Sequence, residues 1–195
     1  SAVYTIDPYV RTTEDVLAAL FHDQRDESDL PVRPKPLHKY VRAALLRDEQ
    51  GKTDPQSAEI FGWLSSQASQ RNPQGKKPLV LIMDGQESLW SSGLEYLPEN
   101  EFDVVEILDL LHALSYVWAG VHLFFPKKSK QAEAYARKLI QRVLDNDVTG
   151  VIETLRRKGR YEKLTGDSLD ELNKVCGYLT NKAAYMNYKD YLEQG

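Results

Sequence analysis

The sequence predicts an α/β fold that gives way to an all-α region. Three observations carry this. The run "LVLIM" at 79–83 is continuously apolar and lies between Pro78 and Gly85, the signature of a strand covered on both faces. A second strand, 104–108 ("VVEIL"), follows, and helix-like and strand-like segments alternate up to that point, the order of an α/β protein. From residue 109 onward, apolar residues recur at helical spacing and no convincing strand is found. The expected division is therefore 1–108 for the α/β part and 109–195 for the helical part.

Taken in order, "AVYTI" is β-branched and aromatic and stops at Asp7-Pro8, so it reads as a strand. "TTEDVLAALF" reads as a helix capped by Thr12 or Thr13, with acids in its first turn and Val16, Leu17, Leu20 and Phe21 on one face. Residues 23–36 are polar, hold three prolines and read as a loop; "LHKYVRAALL" is ambiguous. Asp54-Pro55 places a cap before a proline at the first helical position, and Ile60, Phe61, Leu64 and Ala68 supply the apolar face of that helix. "NPQGKKP" connects it to the 79–83 strand. In the helical part, Leu110, Leu111, Leu114, Val117, Trp118 and Val121 form one stripe, and Ala132, Ala136, Leu139, Ile140 and Val143 a second. Leu169, Leu172, Val175, Cys176 and Leu179 form a third, behind an expected capping box of Ser168 with Glu171.

Composition sets the limits. Hydrophobic residues make up 42% and aromatics 10% of the 195 residues, enough for a sizeable core. The net charge of −4 argues against a surface that binds nucleic acid all over. Cys176 is the sole cysteine, which excludes a disulfide framework and a thiolate metal cluster and fits a reducing cytoplasm. No apolar run approaches the roughly 20 residues of a membrane span, and there is no signal-peptide pattern. The direct entry from Ser1 into "AVYTI" reads as a cut inside a longer protein. Charge is uneven. Residues 84–109 hold eight acids and no Lys or Arg, whereas residues 126–163 hold eleven Lys or Arg against five acids. These are either two solvated faces or an acidic metal-site region beside a basic region that meets DNA phosphates.

Asp84 directly follows the 79–83 strand, and Gly85 lets the backbone turn away. The carboxyl edge of an α/β sheet is where such folds place ligands, and two-metal phosphoryl chemistry needs hard oxygen ligands on rigid elements. By pattern alone, an Asp-Gly turn is the commoner outcome. Asp109 follows the second strand and precedes a helix, so it is a helix cap or a second metal ligand. His112 lies three residues on, on the same helix face. Serine and cysteine nucleophile motifs, a P-loop and a dinucleotide fingerprint are all absent, and Cys176 belongs to an apolar helix face.

Four blocks, "AVYTIDPYVRTTEDVLAALF", "KPLVLIMDGQESLW", "VEILDLLHALSYVWAGVHLF" and "YLTNKAAYMNYKDYLEQG", resemble blocks in the same order in ISKra-type insertion-sequence transposases. The resemblance covers essentially the whole chain. Its most specific part is "DLLHAL", about 25 residues beyond "MDG". These enzymes belong to the DDE transposases, so the resemblance implies a ribonuclease-H-like core over 1–108, interrupted by an all-α insertion over 109–195. It implies three acids holding two Mg²⁺ or Mn²⁺ ions that activate water, and then a DNA 3′-hydroxyl, against phosphodiesters. Asp84 corresponds to the second acid, and Asp109 and His112 also match the family's pattern; Asp109 stays the candidate second metal ligand read from its place after the strand, with His112 as a candidate supporting residue. The first acid is expected upstream of "AVYTI" and the third, a glutamate, shortly beyond "YLEQG". On this resemblance the chain is a central fragment carrying one acid of three, inactive by itself, in the cytoplasm of a bacterium and associated with its nucleoid. Its partners are DNA at transposon ends and further copies of the chain, with no membrane. Lys127, Lys128, Lys130, Arg137, Arg156, Arg157 and Arg160 are the expected DNA contacts.

Two other readings stand beside this one. The chain is a folded DNA-binding or self-associating module that no longer catalyses, or a small α/β phosphohydrolase built on Asp84. The last needs a nucleophile or further ligands within 1–195, and the sequence supplies no convincing ones.

Overall fold

The computed structural model of the chain describes residues 1–24, 32–43, 56–97 and 101–195, without the side chains of Gln56 and Ser57. The expected Asp54-Pro55 helix start and Pro98 lie outside the described residues. The elements in chain order are β1 (Ala2–Thr5), α1 (Thr13–Leu20), β2 (Leu37–Val41), α2 (Gln56–Arg71), β3 (Leu79–Met83), α3 (Glu87–Tyr96), β4 (Val104–Leu108), α4 (Leu110–His122), α5 (Lys130–Leu144), α6 (Val148–Tyr161), α7 (Gly166–Lys182), a 3₁₀ turn (Ala183–Tyr185) and α8 (Tyr188–Gln194). The fold is mixed α/β and mostly helical. It divides into two compact units, one of residues 1–8 and 33–107 and one of residues 9–32 and 108–195. Among the described residues, no helix is long and apolar enough to cross a membrane.

The α/β unit holds two small sheets. β1 and β2 pair antiparallel, Ala2 opposite Val41 and Val3 opposite Tyr40, with a register shift before Thr5. Arg71 at the end of α2 ties down both strands. It donates to the Thr5 hydroxyl at 3.3 Å and to the His38 carbonyl at 2.7 Å, and its guanidinium lies over the Tyr40 ring. β3 and β4 form the second sheet. The Leu79 N–H donates to the Asp103 carbonyl at 2.7 Å, so the two strands start side by side and run the same way. α3 is the crossover that parallel neighbours require; it is a helix not expected from the sequence.

The core of this unit gathers Ala68, Leu97 and Phe102, with Leu79, Leu81 and Val104 against them. The stacked rings of Phe61 and Tyr96 join α2 to α3. α3 lies close on β3 because Gly93 has no side chain: a Cβ there would meet Met83 Cε at 2.6 Å and Leu81 Cδ2 at 3.0 Å. The expectation that β3 is covered on both faces is not met. Leu81 and Met83 turn toward α3, while Val80 and Ile82 are 51% and 55% exposed. Side chains alternate along a strand, and α3 covers only one side.

The helical unit is built from α1 and α4 to α8. Val117, Val121, Ala136, Val143, Leu144, Val151, Leu155, Cys176, Leu179 and Met186 are fully buried in it. The α5 stripe is buried at every position read from the sequence. α1 precedes β2 in the chain but belongs with these helices. The Thr13 hydroxyl donates to Asp145 Oδ1 at 2.7 Å, and the Arg11 N–H donates to the Leu192 carbonyl at 3.0 Å. Thr12 caps α1 in a complete capping box with Asp15.

Two readings of this region need correction. α7 starts at Gly166 behind Thr165, so Ser168 and Glu171 are interior helix residues and not a capping box. Leu111 and Leu169, placed on apolar faces, are 67% and 39% exposed. Each stands in the first turn of its helix, at the edge of its apolar stripe.

Candidate functional site

Asp84 is exposed and directly follows Met83, the buried last residue of β3. Gly85 takes φ +88°, a backbone conformation that side-chain-bearing residues rarely adopt, and the chain turns there into α3. The Gln86 N–H donates to Asp84 Oδ1 at 3.1 Å. That contact is the aspartate turn expected of a strand-end Asp-Gly pair. The position is also the one at which an open α/β sheet offers ligands. Among the described residues β3 is hydrogen-bonded to β4 alone, so Asp84 ends a strand of a two-stranded sheet rather than a central one.

Asp109 is half-buried and caps α4, its Oδ1 accepting the His112 N–H at 2.9 Å. The helix-cap role read for it is therefore present. The imidazole of His112 lies against the rings of Tyr116 and Tyr178, at 5.6 and 5.8 Å. Those two rings stack at 3.6 Å with an interplanar angle of 1°. Beside this cluster the buried Tyr188 hydroxyl donates to the Leu108 carbonyl at 2.9 Å. Burial, and secondarily the Asp109 carboxylate, raise the Tyr188 pKa well above the ordinary tyrosine value. The structure thus brings Asp109 and His112 together in one helix turn with a tyrosine cluster that sequence reasoning missed. The only sequence signal for it is the one-turn spacing of His112 and Tyr116; Tyr178 and Tyr188 come from distant positions.

No group of three or more His, Cys, Asp or Glu side chains among the described residues could hold a metal ion. One strand-end carboxylate and one helix-capping carboxylate do not make a Mg²⁺ site, because Mg²⁺ sheds its water reluctantly and wants an octahedron of oxygens.

Of the expected DNA contacts, Lys127, Lys128 and Lys130 are exposed around the start of α5, and Arg156, Arg157 and Arg160 are exposed on α6. Arg137 is different. Its guanidinium is engaged by both carboxylate oxygens of Asp23 and lies 5.0 Å from the Phe21 ring centroid. The hydrogen bond to Asp23 raises its pKa further. This ion pair joins α5 to the end of α1, and a phosphate at Arg137 would compete with Asp23 for the guanidinium. Nothing local to Arg137 in the sequence signals this, since Asp23 lies 114 residues away.

No known family description, curated protein or solved structure matches the chain.

Proposed function

We propose that this chain is the central piece of a DDE-type DNA transposase of the ISKra kind. In this reading it supplies the second of three metal-binding acids, Asp84, and a basic helical unit that meets DNA. The supporting observation is the exposed carboxylate of Asp84 at the carboxyl end of β3, a strand of a β-α-β crossover, with Gly85 turning the backbone away behind it. This is the position the resemblance assigns to that acid. The described residues do not compose a Mg²⁺ or Mn²⁺ site by themselves, so no catalytic step is assigned to them. The reading asks instead for two further acids on flanking sequence.

The test compares three proteins in a cleavage and strand-transfer assay with Mg²⁺ or Mn²⁺: the 195-residue chain, a longer chain adding an Asp-bearing strand before Ala2 and a Glu-bearing helix after Gly195, and the longer chain with Asp84→Asn. Activity is expected only for the unsubstituted longer chain. Metal-dependent cleavage by the 195-residue chain would mean a different enzyme. Undiminished strand transfer by the Asp84→Asn protein would reduce Asp84 to a turn residue.

A second reading, a non-catalytic DNA-binding module, is supported by the exposed Arg156, Arg157 and Arg160 on α6. DNA binding without activity in any longer chain would favour it.

A further inference from the structure

We draw no further inference here: the strongest candidate, the open face of the β3–β4 sheet on which Val80 and Ile82 are exposed, carries nothing, because nothing in the structure shows what covers it.

Discussion

The Tyr188 hydroxyl reaches across 80 residues of sequence to donate a 2.9 Å hydrogen bond to the carbonyl of Leu108, the fully buried residue at which β4 ends. It fastens the start of α8 to the entry into α4. Tyr188→Phe keeps the ring and leaves a buried carbonyl without its donor, at a cost of about 1–2 kcal/mol. Urea denaturation measures this, and an unchanged midpoint would show that the bond contributes nothing net.

The same residue sets an alkaline limit. Burial raises the folded pKa of Tyr188 above the ordinary 10.0, so in the folded state the phenol stays protonated when the unfolded phenol has ionised. Its contribution is full below pH 10 and is lost as pH rises from the unfolded value toward the raised folded one. The burial-raised phenol of Tyr135 and thiol of Cys176 act in the same direction, with Cys176 beginning to act nearer its ordinary 9.0. Stability should therefore decline above about pH 9–10, and Tyr188→Phe should make that decline shallower. Thermal melts across this range check both statements.

Asp109 offers a way to separate a cap from a ligand. Asp109→Ala removes the acceptor for the His112 N–H and should destabilise by ~1 kcal/mol, whereas Asp109→Asn still caps and should cost little. In a longer, active chain, an Asp109→Asn protein of normal stability that has lost strand transfer would show that the carboxylate charge matters beyond the cap.

Two glycines on neighbouring helices should respond oppositely to alanine. At Gly159 on α6 a Cβ would stand 2.4 Å from Leu172 Cδ2. Overpacking of that kind costs about 1–3 kcal/mol, which outweighs the gain in helix propensity of roughly 1 kcal/mol. At Gly177 on α7 a Cβ would meet nothing within 4 Å, so Gly177→Ala should stabilise by about 0.5–1 kcal/mol. Equal shifts in melting temperature for the two variants would contradict the packing of α6 on α7.

The exposed arginines of α6 carry the electrostatic prediction. Each phosphate contact releases condensed counterions, so DNA affinity should fall steeply with salt. Replacing Arg156, Arg157 and Arg160 singly by Ala should lower the slope of log K against log salt by about one for each true contact. Arg137→Ala should leave the slope unchanged and lower stability instead, because its partner is Asp23. A slope that does not move with any of the three α6 arginines would return them to a solvated face.

The sequence by itself determined the strands at 79–83 and 104–108, the change to helices beyond them and the buried face of α5. These features follow from local periodicity and propensity, which act within a few residues. It also determined the turn after Asp84, since the positive φ at residue 85 calls for glycine. Periodicity tells which face of an element is apolar but not what covers it. Only the tertiary structure decided that α1 joins the distant helices, and that Val80, Ile82 and Leu111 face solvent. Only it decided that Arg137 is held by Asp23, that Tyr188 meets Leu108, and that His122 Nδ1 is left without a partner beside Trp118. Each of these depends on which elements pack together, a choice made by the sum of many weak contacts between residues far apart in the chain.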